Sequence, residues 1–179
     1  MKKLLVFSMV LASFVSYGQE KTETFKTKTD VFLSKTGSII KYVDYSQPNL
    51  VSKYSSCETR VRKITNGTNV PLIVYQIVKE GKYGSSTASI DYIDLIEILK
   101  AIKTLKNDVV TDVSSSNYIE NKFVSTDGFQ LGYYISGGKS VWYIQLEKYG
   151  SDKTVFIDNV DTIETAMNNA KIKMDEIKK

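Results

Sequence analysis

The chain has 179 residues, no histidine, one cysteine, and 24 Lys plus Arg against 20 Asp plus Glu, a formal charge of +4. The missing histidine excludes Ser-His-Asp and Cys-His nucleophiles, histidine general bases and every His-containing zinc or iron site. A lone Cys57 excludes an internal disulfide and, with no imidazole to activate it, reads as a small buried side chain rather than a nucleophile.

Residues 1–18 have the layout of a secretory signal peptide: Lys2-Lys3, an apolar run from Leu4 to Val15, then Ser16-Tyr17-Gly18, with cleavage expected after Gly18. The run is shorter than the roughly 20 residues of a membrane span, and no later segment approaches one. The mature chain is therefore expected in the periplasm or outside the cell. Without Lys2 and Lys3, the 24 basic residues fall to 22 against 20 acidic ones, a net +2. Neither that charge nor any basic patch with interleaved aromatics points to nucleic acid.

Residues 19–30, polar and rich in Lys and Thr, read as a mobile tail, and residues 31–179 as a single globular domain. Val31–Leu33 and Ser38–Tyr45 have strand character, and Ser46 to Asn49 breaks the pattern ahead of a loop from Leu50 to Ser56. Strands are expected at Glu58–Thr65, Leu72–Lys79 and Ser86–Ile90, with a turn at Asn66-Gly67. The first helix is predicted from Leu95 to about Lys106, with Leu95, Ile98, Leu99, Ile102 and Leu105 on one stripe. Asn107 to Ser116 reads as a linker. Strands follow at Tyr118–Ser125, Phe129–Ile135, Ser140–Glu147 and Thr154–Ile157. A two-residue loop at Gly137-Gly138 sets Tyr133 opposite Trp142 and Leu131 opposite Ile144, sorting the large apolar residues onto one face. The last helix, Thr162 to about Ile177, carries Ile163, Ala166, Met167, Ala170, Met174 and Ile177 as its stripe.

Two stretches repeat each other. Lys82-Tyr83-Gly84-Ser85 leads to Ile90-Asp91-Tyr92-Ile93-Asp94-Leu95-Ile96-Glu97, and Lys148-Tyr149-Gly150-Ser151 leads to Ile157-Asp158-Asn159-Val160-Asp161-Thr162-Ile163-Glu164. Such self-similarity marks a duplicated supersecondary unit, giving pseudo-repeats over 31–108 and 117–179. Asp94 and Asp161 stand where N-caps belong, with Glu97 and Glu164 three residues on to complete capping boxes. Capping accounts for this spacing better than convergence of Asp91, Asp94, Asp158 and Asp161 on a cation. The expected class is α+β: tandem β-hairpin-plus-helix repeats in a mainly antiparallel sheet of about seven to eight strands, or two abutting half-sheets, with two helices on one face.

Gly137-Gly138-Lys139-Ser140 has the letters of a phosphate loop but lacks the upstream glycine and joins two strands. Tyr83, Tyr149, Tyr134 and Tyr143 are the candidate ligand- or partner-binding residues, because tyrosine brings rigid amphipathic area with a hydrogen-bonding tip. The resulting expectation is an exported, non-catalytic binding or accessory protein of the envelope or secretome, without cofactor or metal, whose partner is a protein or another envelope component. The alternatives are a hydrolase using carboxylates among Glu147, Asp152, Asp158 and Glu164, or a Ser-Lys pair at Ser85, Ser140 or Ser151, and a secreted protein inhibitor.

Overall fold

Along Ser56–Thr65, Cys57, Thr59 and Val61 are buried while Glu58 is exposed and Arg60 and Arg62 are only partly covered. That period of two sends one face of the strand to a core and leaves the other to polar side chains. A computed structural model of the chain describes residues 25–34, 37–53, 55–67, 70–82, 84–150 and 152–178. The leader expected at 1–18 and residues 19–24 of the tail expected at 19–30 lie outside these.

Among the described residues, eight strands and three helices follow one another. They are α1 (Lys28–Leu33), β1 (Lys41–Val51), β2 (Ser56–Thr65), β3 (Leu72–Gly81), β4 (Gly84–Asp91), α2 (Tyr92–Asp112), β5 (Glu120–Val124), β6 (Gln130–Ser136), β7 (Lys139–Gln145), β8 (Thr154–Ile157) and α3 (Val160–Lys178). The fold is α+β, with the strands divided between two antiparallel sheets of four, ordered β1-β2-β3-β4 and β5-β6-β7-β8, rather than joined in one. Each strand pairs with its chain neighbour, so every sheet connection within a half is a hairpin.

The first sheet is bound across its outer face by side chains in register. Asp44 lies opposite Arg62 and receives its guanidinium at 2.6 and 2.7 Å. One step along, Arg60 Nε donates to Gln76 Oε1 (3.0 Å), whose Nε2 donates to Ser89 Oγ (3.0 Å). Such cross-strand pairs satisfy the buried Gln76 and stabilise neighbouring strands.

In the second sheet the Gly137-Gly138 hairpin forms as expected. Tyr133 lies opposite Trp142 and Leu131 opposite Ile144, and both glycines have positive φ, 58° and 70°, as a primed turn requires. The Tyr133 and Trp142 rings meet at a tilt of 58° with centroids 4.9 Å apart. Gly132 is glycine for a different reason: a Cβ there would run into Asn121 O on β5.

Both helices present the predicted stripes. Leu95, Ile98, Ile102 and Leu105 are buried on α2, and Ile163, Met167, Ala170 and Met174 on α3, whereas Leu99 sits only partly buried at the margin. α2 packs on β3 and β4 of its own sheet and on β5 and β6 of the other; α3 packs on β8 and on β1, β2 and β3. The helices also pack on each other, so one core takes in residues of both sheets and both helices.

Three stretches differ from their sequence-level reading. Val31–Leu33 ends a short helix instead of forming a strand, because Thr27 and Asp30 form a reciprocal capping box: Asp30 N donates to Thr27 Oγ1 (3.0 Å) and Thr27 N to Asp30 Oδ2 (2.9 Å). β1 runs through the expected break at Ser46–Asn49 and part of the expected loop. It is an edge strand, where Pro48 costs no ladder bond, and a bulge between Gln47 and Leu50 absorbs the irregularity. α2 continues through the expected linker to Asp112, tied to the second sheet by Tyr133 Oη donating to Asp112 Oδ2 (2.6 Å) and Asn121 Nδ2 to Asp108 Oδ2 (3.1 Å).

Replacing Ile102 by Ala should cost about 2–5 kcal/mol in urea melts, the range for a large-to-small change in a packed core. Ile93→Ser, on the exposed side of the same helix, should stay within about 0.5 kcal/mol of the parent.

Candidate functional site

The β3–β4 turn closes tightly, with Gly81 paired to Gly84, whereas the β7–β8 connection is longer: Gln145–Thr154 is its last strand pair, and Leu146 N donates to Lys153 O at 3.0 Å. These two connections carry the repeated Tyr-Gly motifs, and they meet. Lys79 Nζ reaches Asp152 Oδ1 at 2.6 Å and the carbonyls of Asp152 and Thr154 at 3.0 and 3.1 Å. That clamp faces a residue held at φ 60°, a left-handed backbone uncommon outside glycine. Gly81 is required by the approach, since a Cβ there would lie 2.8 Å from Gly84 O and 3.0 Å from Asp152 Oδ2.

A second tie crosses the seam. Thr87 N, on the outer edge of β4, donates to Glu147 Oε1 at 2.6 Å. A carboxylate thus occupies a strand-edge position that would otherwise offer a free donor to another chain.

Beside the seam, residues 25–30 lie against the body, although they belong to the stretch read as a tail. Lys28 N donates to both Asp127 carboxylate oxygens at 3.1 Å, and Lys28 Nζ to Asp91 Oδ2 at 2.7 Å. Nζ also lies 3.1 Å from Asp94 Oδ2, an ion pair not aligned as a hydrogen bond. Burial disfavours the Lys28 ammonium, but the two carboxylates outweigh it and raise its pKa. Burial also lifts the Asp127 carboxyl above its ordinary range, against the pull of the Lys28 N–H. Phe25 meets Tyr149 edge-on at 6.1 Å, and Lys148 Nζ stands 4.4 Å above the Phe25 ring and 5.4 Å from that of Tyr149. Phe25, Asp127, Lys148 and Tyr149, together with Thr87, Ser89, Phe129 and Leu146, line a groove of about 360 Å³.

Of the predicted tyrosines, the three described do not share one surface. Tyr149 is 64 % exposed at the rim of this groove. Tyr83 lies outside the described residues. Tyr134 is partly buried in the second sheet, its ring centroid 6.5 Å from that of Tyr143. Tyr143, expected on an open face, is buried, because Glu120 on the edge strand β5 accepts its hydroxyl at 2.5 Å. That bond, with Lys122 at 3.2 Å, holds the Glu120 carboxyl below its ordinary range.

The caps also move. α2 is capped by Asp91, whose Oδ1 accepts Asp94 N at 2.7 Å, three residues before the expected position. Asp94 is instead buried in the first turn beside Lys28, and Glu97 pairs with Lys100 at 2.8 Å on the surface. At α3, Asn159 Oδ1 accepts Asp161 N at 2.8 Å, while Asp161 and Glu164 both reach back to Lys106 of α2, at 2.6 and 2.8 Å. The D-x-x-E spacing serves an ion pair between helices at Asp161 and Glu164 and forms no capping box at either helix.

The remaining acids are also spoken for. Asp158 Oδ2 accepts Lys53 N at 2.6 Å, so Asp91 and Asp94 around Lys28 and Asp158 and Asp161 near α3 have separate partners. Among the described residues, no three acidic or cysteine side chains are arranged to hold a metal ion. Glu147, Asp152, Asp158 and Glu164, the carboxylates of the hydrolase reading, each have a different protein partner. Cys57 is buried, and burial pushes its thiol up.

Sequence reasoning missed Phe25, Lys28 and Asp127. Thr27-x-x-Asp30 could have announced the helix that carries Lys28, but nothing local links Lys28 to Asp127, 99 residues on. Compared with known protein families, curated proteins and solved structures, the chain matches none.

Asp91→Ala should lower stability by about 1 kcal/mol or more through loss of the cap and of a Lys28 partner. Asp161→Ala, which removes one exposed acceptor from Lys106, should lower it by clearly less. Paired thermal melts compare them, and an equal loss would restore a capping role to Asp161.

Proposed function

We propose that the chain is an exported, non-catalytic binding protein that recognises a protein or another envelope component at the seam between its two sheets. The observation that carries this reading is the Phe25–Lys148–Tyr149 cluster, in which an exposed tyrosine is held by a neighbouring ring and a cation at the mouth of a groove. Rigid aromatic area at a groove is what recognition surfaces use, because its burial costs little side-chain entropy.

Export rests on the Lys2-Lys3 n-region, the apolar run and Ser16-Tyr17-Gly18. The tandem-repeat reading belongs to the same proposal. It is supported by the shared letters and by the place of both Tyr-Gly motifs between the third and fourth strands of a sheet, just ahead of a helix. Under it, a duplicated unit has diverged in its loop, tight in the first copy and long in the second, and the long loop displays the contact residue.

The test is affinity capture from an envelope fraction with the parent chain and Tyr149→Ala, both checked for unchanged melting temperature. The expected result is a captured species that the variant loses by tenfold or more, on the order of a hot-spot residue; N-terminal sequencing of this chain exported from cells should begin at Gln19. Equal capture by both would remove the seam from the proposal.

A further inference from the structure

Of the four strands that end a sheet, three carry a stop against further pairing. On β4 the Glu147 carboxylate takes Thr87 N, on β8 Lys79 Nζ takes the Thr154 carbonyl at 3.1 Å, and on β1 Pro48 and the bulge interrupt the edge. β5 has no such stop among the described residues. Its ladder to β6 runs through alternate residues: Ile135 N donates to Ile119 O at 2.9 Å and Ser125 N to Phe129 O at 2.8 Å, with Asn121 and Phe123 in step between them. Glu120, Lys122 and Val124 lie in the other phase, so their N–H and C=O groups point to the open edge.

The same three side chains stand on the outer face of the sheet, opposite the face on which Ile119 and Phe123 pack against the core. Tyr118, one step earlier in the alternation, joins them. It is 71 % exposed and Val124 is 51 % exposed, so the row has an apolar residue at each end and a charge pair in the middle. Glu120 is already ordered, accepting the hydroxyls of Tyr143 and Tyr118 at 2.5 and 3.4 Å.

This row is complementary to itself. About a two-fold axis through Asn121, two antiparallel copies of the edge set Glu120 opposite Lys122 and Tyr118 opposite Val124, each pair occurring twice. A slip of two residues either way puts Glu120 opposite itself or Lys122 opposite itself, and longer slips leave both charges facing uncharged residues. A lysine in mid-strand ordinarily deters edge pairing. Here the deterrent is lifted in one register, and that register also covers the two exposed apolar residues.

We propose that β5 is a dimerisation edge: a second copy of this chain adds its own β5 antiparallel, in the register that pairs Glu120 with Lys122, and joins two four-stranded sheets into one of eight. A copy fits better than an unrelated extended peptide because the complementarity is between the strand and itself. Tyr149 takes no part in the pairing, so Tyr149→Ala should dimerise like the parent, and the capture experiment can fail without touching this one.

Sedimentation velocity over a concentration series of the exported chain provides the test. The parent should form a dimer, and Lys122→Glu and Glu120→Lys should each raise its dissociation constant tenfold or more, as like charges replace both opposite-charge pairs. An equimolar mixture of those two variants should recover parent-like association, since every facing pair then joins opposite charges again. Lys122→Pro should melt close to the parent, because that N–H makes no ladder bond within the sheet, yet sediment as a monomer. If Glu120→Lys, which also loses the Tyr143 bond, fails to fold, the two Lys122 variants still decide. A parent that stays monomeric up to about 1 mM, the weak end of specific association, a dimer unaffected by Lys122→Pro or Lys122→Glu, or a mixture of folded variants no stronger than its components would each overturn the assignment.

Discussion

The structure depends on each long helix being shared between the two sheets. A four-stranded antiparallel sheet with one apolar face needs a cover, and here α2, which follows the first sheet, also covers β5 and β6 of the second, while α3, which follows the second, covers β1 to β3 of the first. Neither half could bury Leu131 and Ile144, or Tyr75 and Ile77, with its own helix in the same way. The ion pairs from Lys106 to Asp161 and Glu164 tie the helices to each other at the surface, where screening limits their weight; the apolar stripes beneath them contribute far more.

That sharing brings the β3–β4 turn and the β7–β8 connection together, and both candidate sites follow from how sheet edges are managed. At the seam, the Glu147 carboxylate takes a donor on the β4 edge, and the Lys79–Asp152 clamp fixes the loop that displays Tyr149. At the opposite edge of the first sheet, Pro48 and the bulge bow β1 away from regular pairing, and β5 is left as the edge without such a stop among the described residues. Edges blunted by a carboxylate, a proline and a bulge are poor templates for aggregation, and the charges along β5 limit it to one register.

Much of this architecture was legible in the sequence, because periodicity and turn chemistry are local. The stripes of α2 and α3, the Gly137-Gly138 register and the order of strands and helices from β1 onward all follow from spacing alone. What was not legible was set by distant partners. The choice between one sheet and two half-sheets, both open at the level of sequence, depends on how the helices cross, which no local pattern encodes. Asp94 and Asp161 look like caps by spacing, but Asp91 and Asn159 take those roles while Lys28 and Lys106 recruit the expected residues. Tyr143 has the alternation of an outward residue and is buried by Glu120 from a neighbouring strand. Tyr149 was legible as an exposed tyrosine after a strand; its neighbour Phe25 was not, since it arrives from the other end of the chain.

The chain carries its own probe in each sheet: Cys57, the sole cysteine, is buried in β2, and Trp142, the sole tryptophan, is buried in β7. Urea unfolding followed by thiol labelling of Cys57 and by Trp142 fluorescence tests the shared core directly. One core predicts coincident transitions with a single midpoint and slope. Separate midpoints, with one sheet still folded after the other has opened, would contradict it.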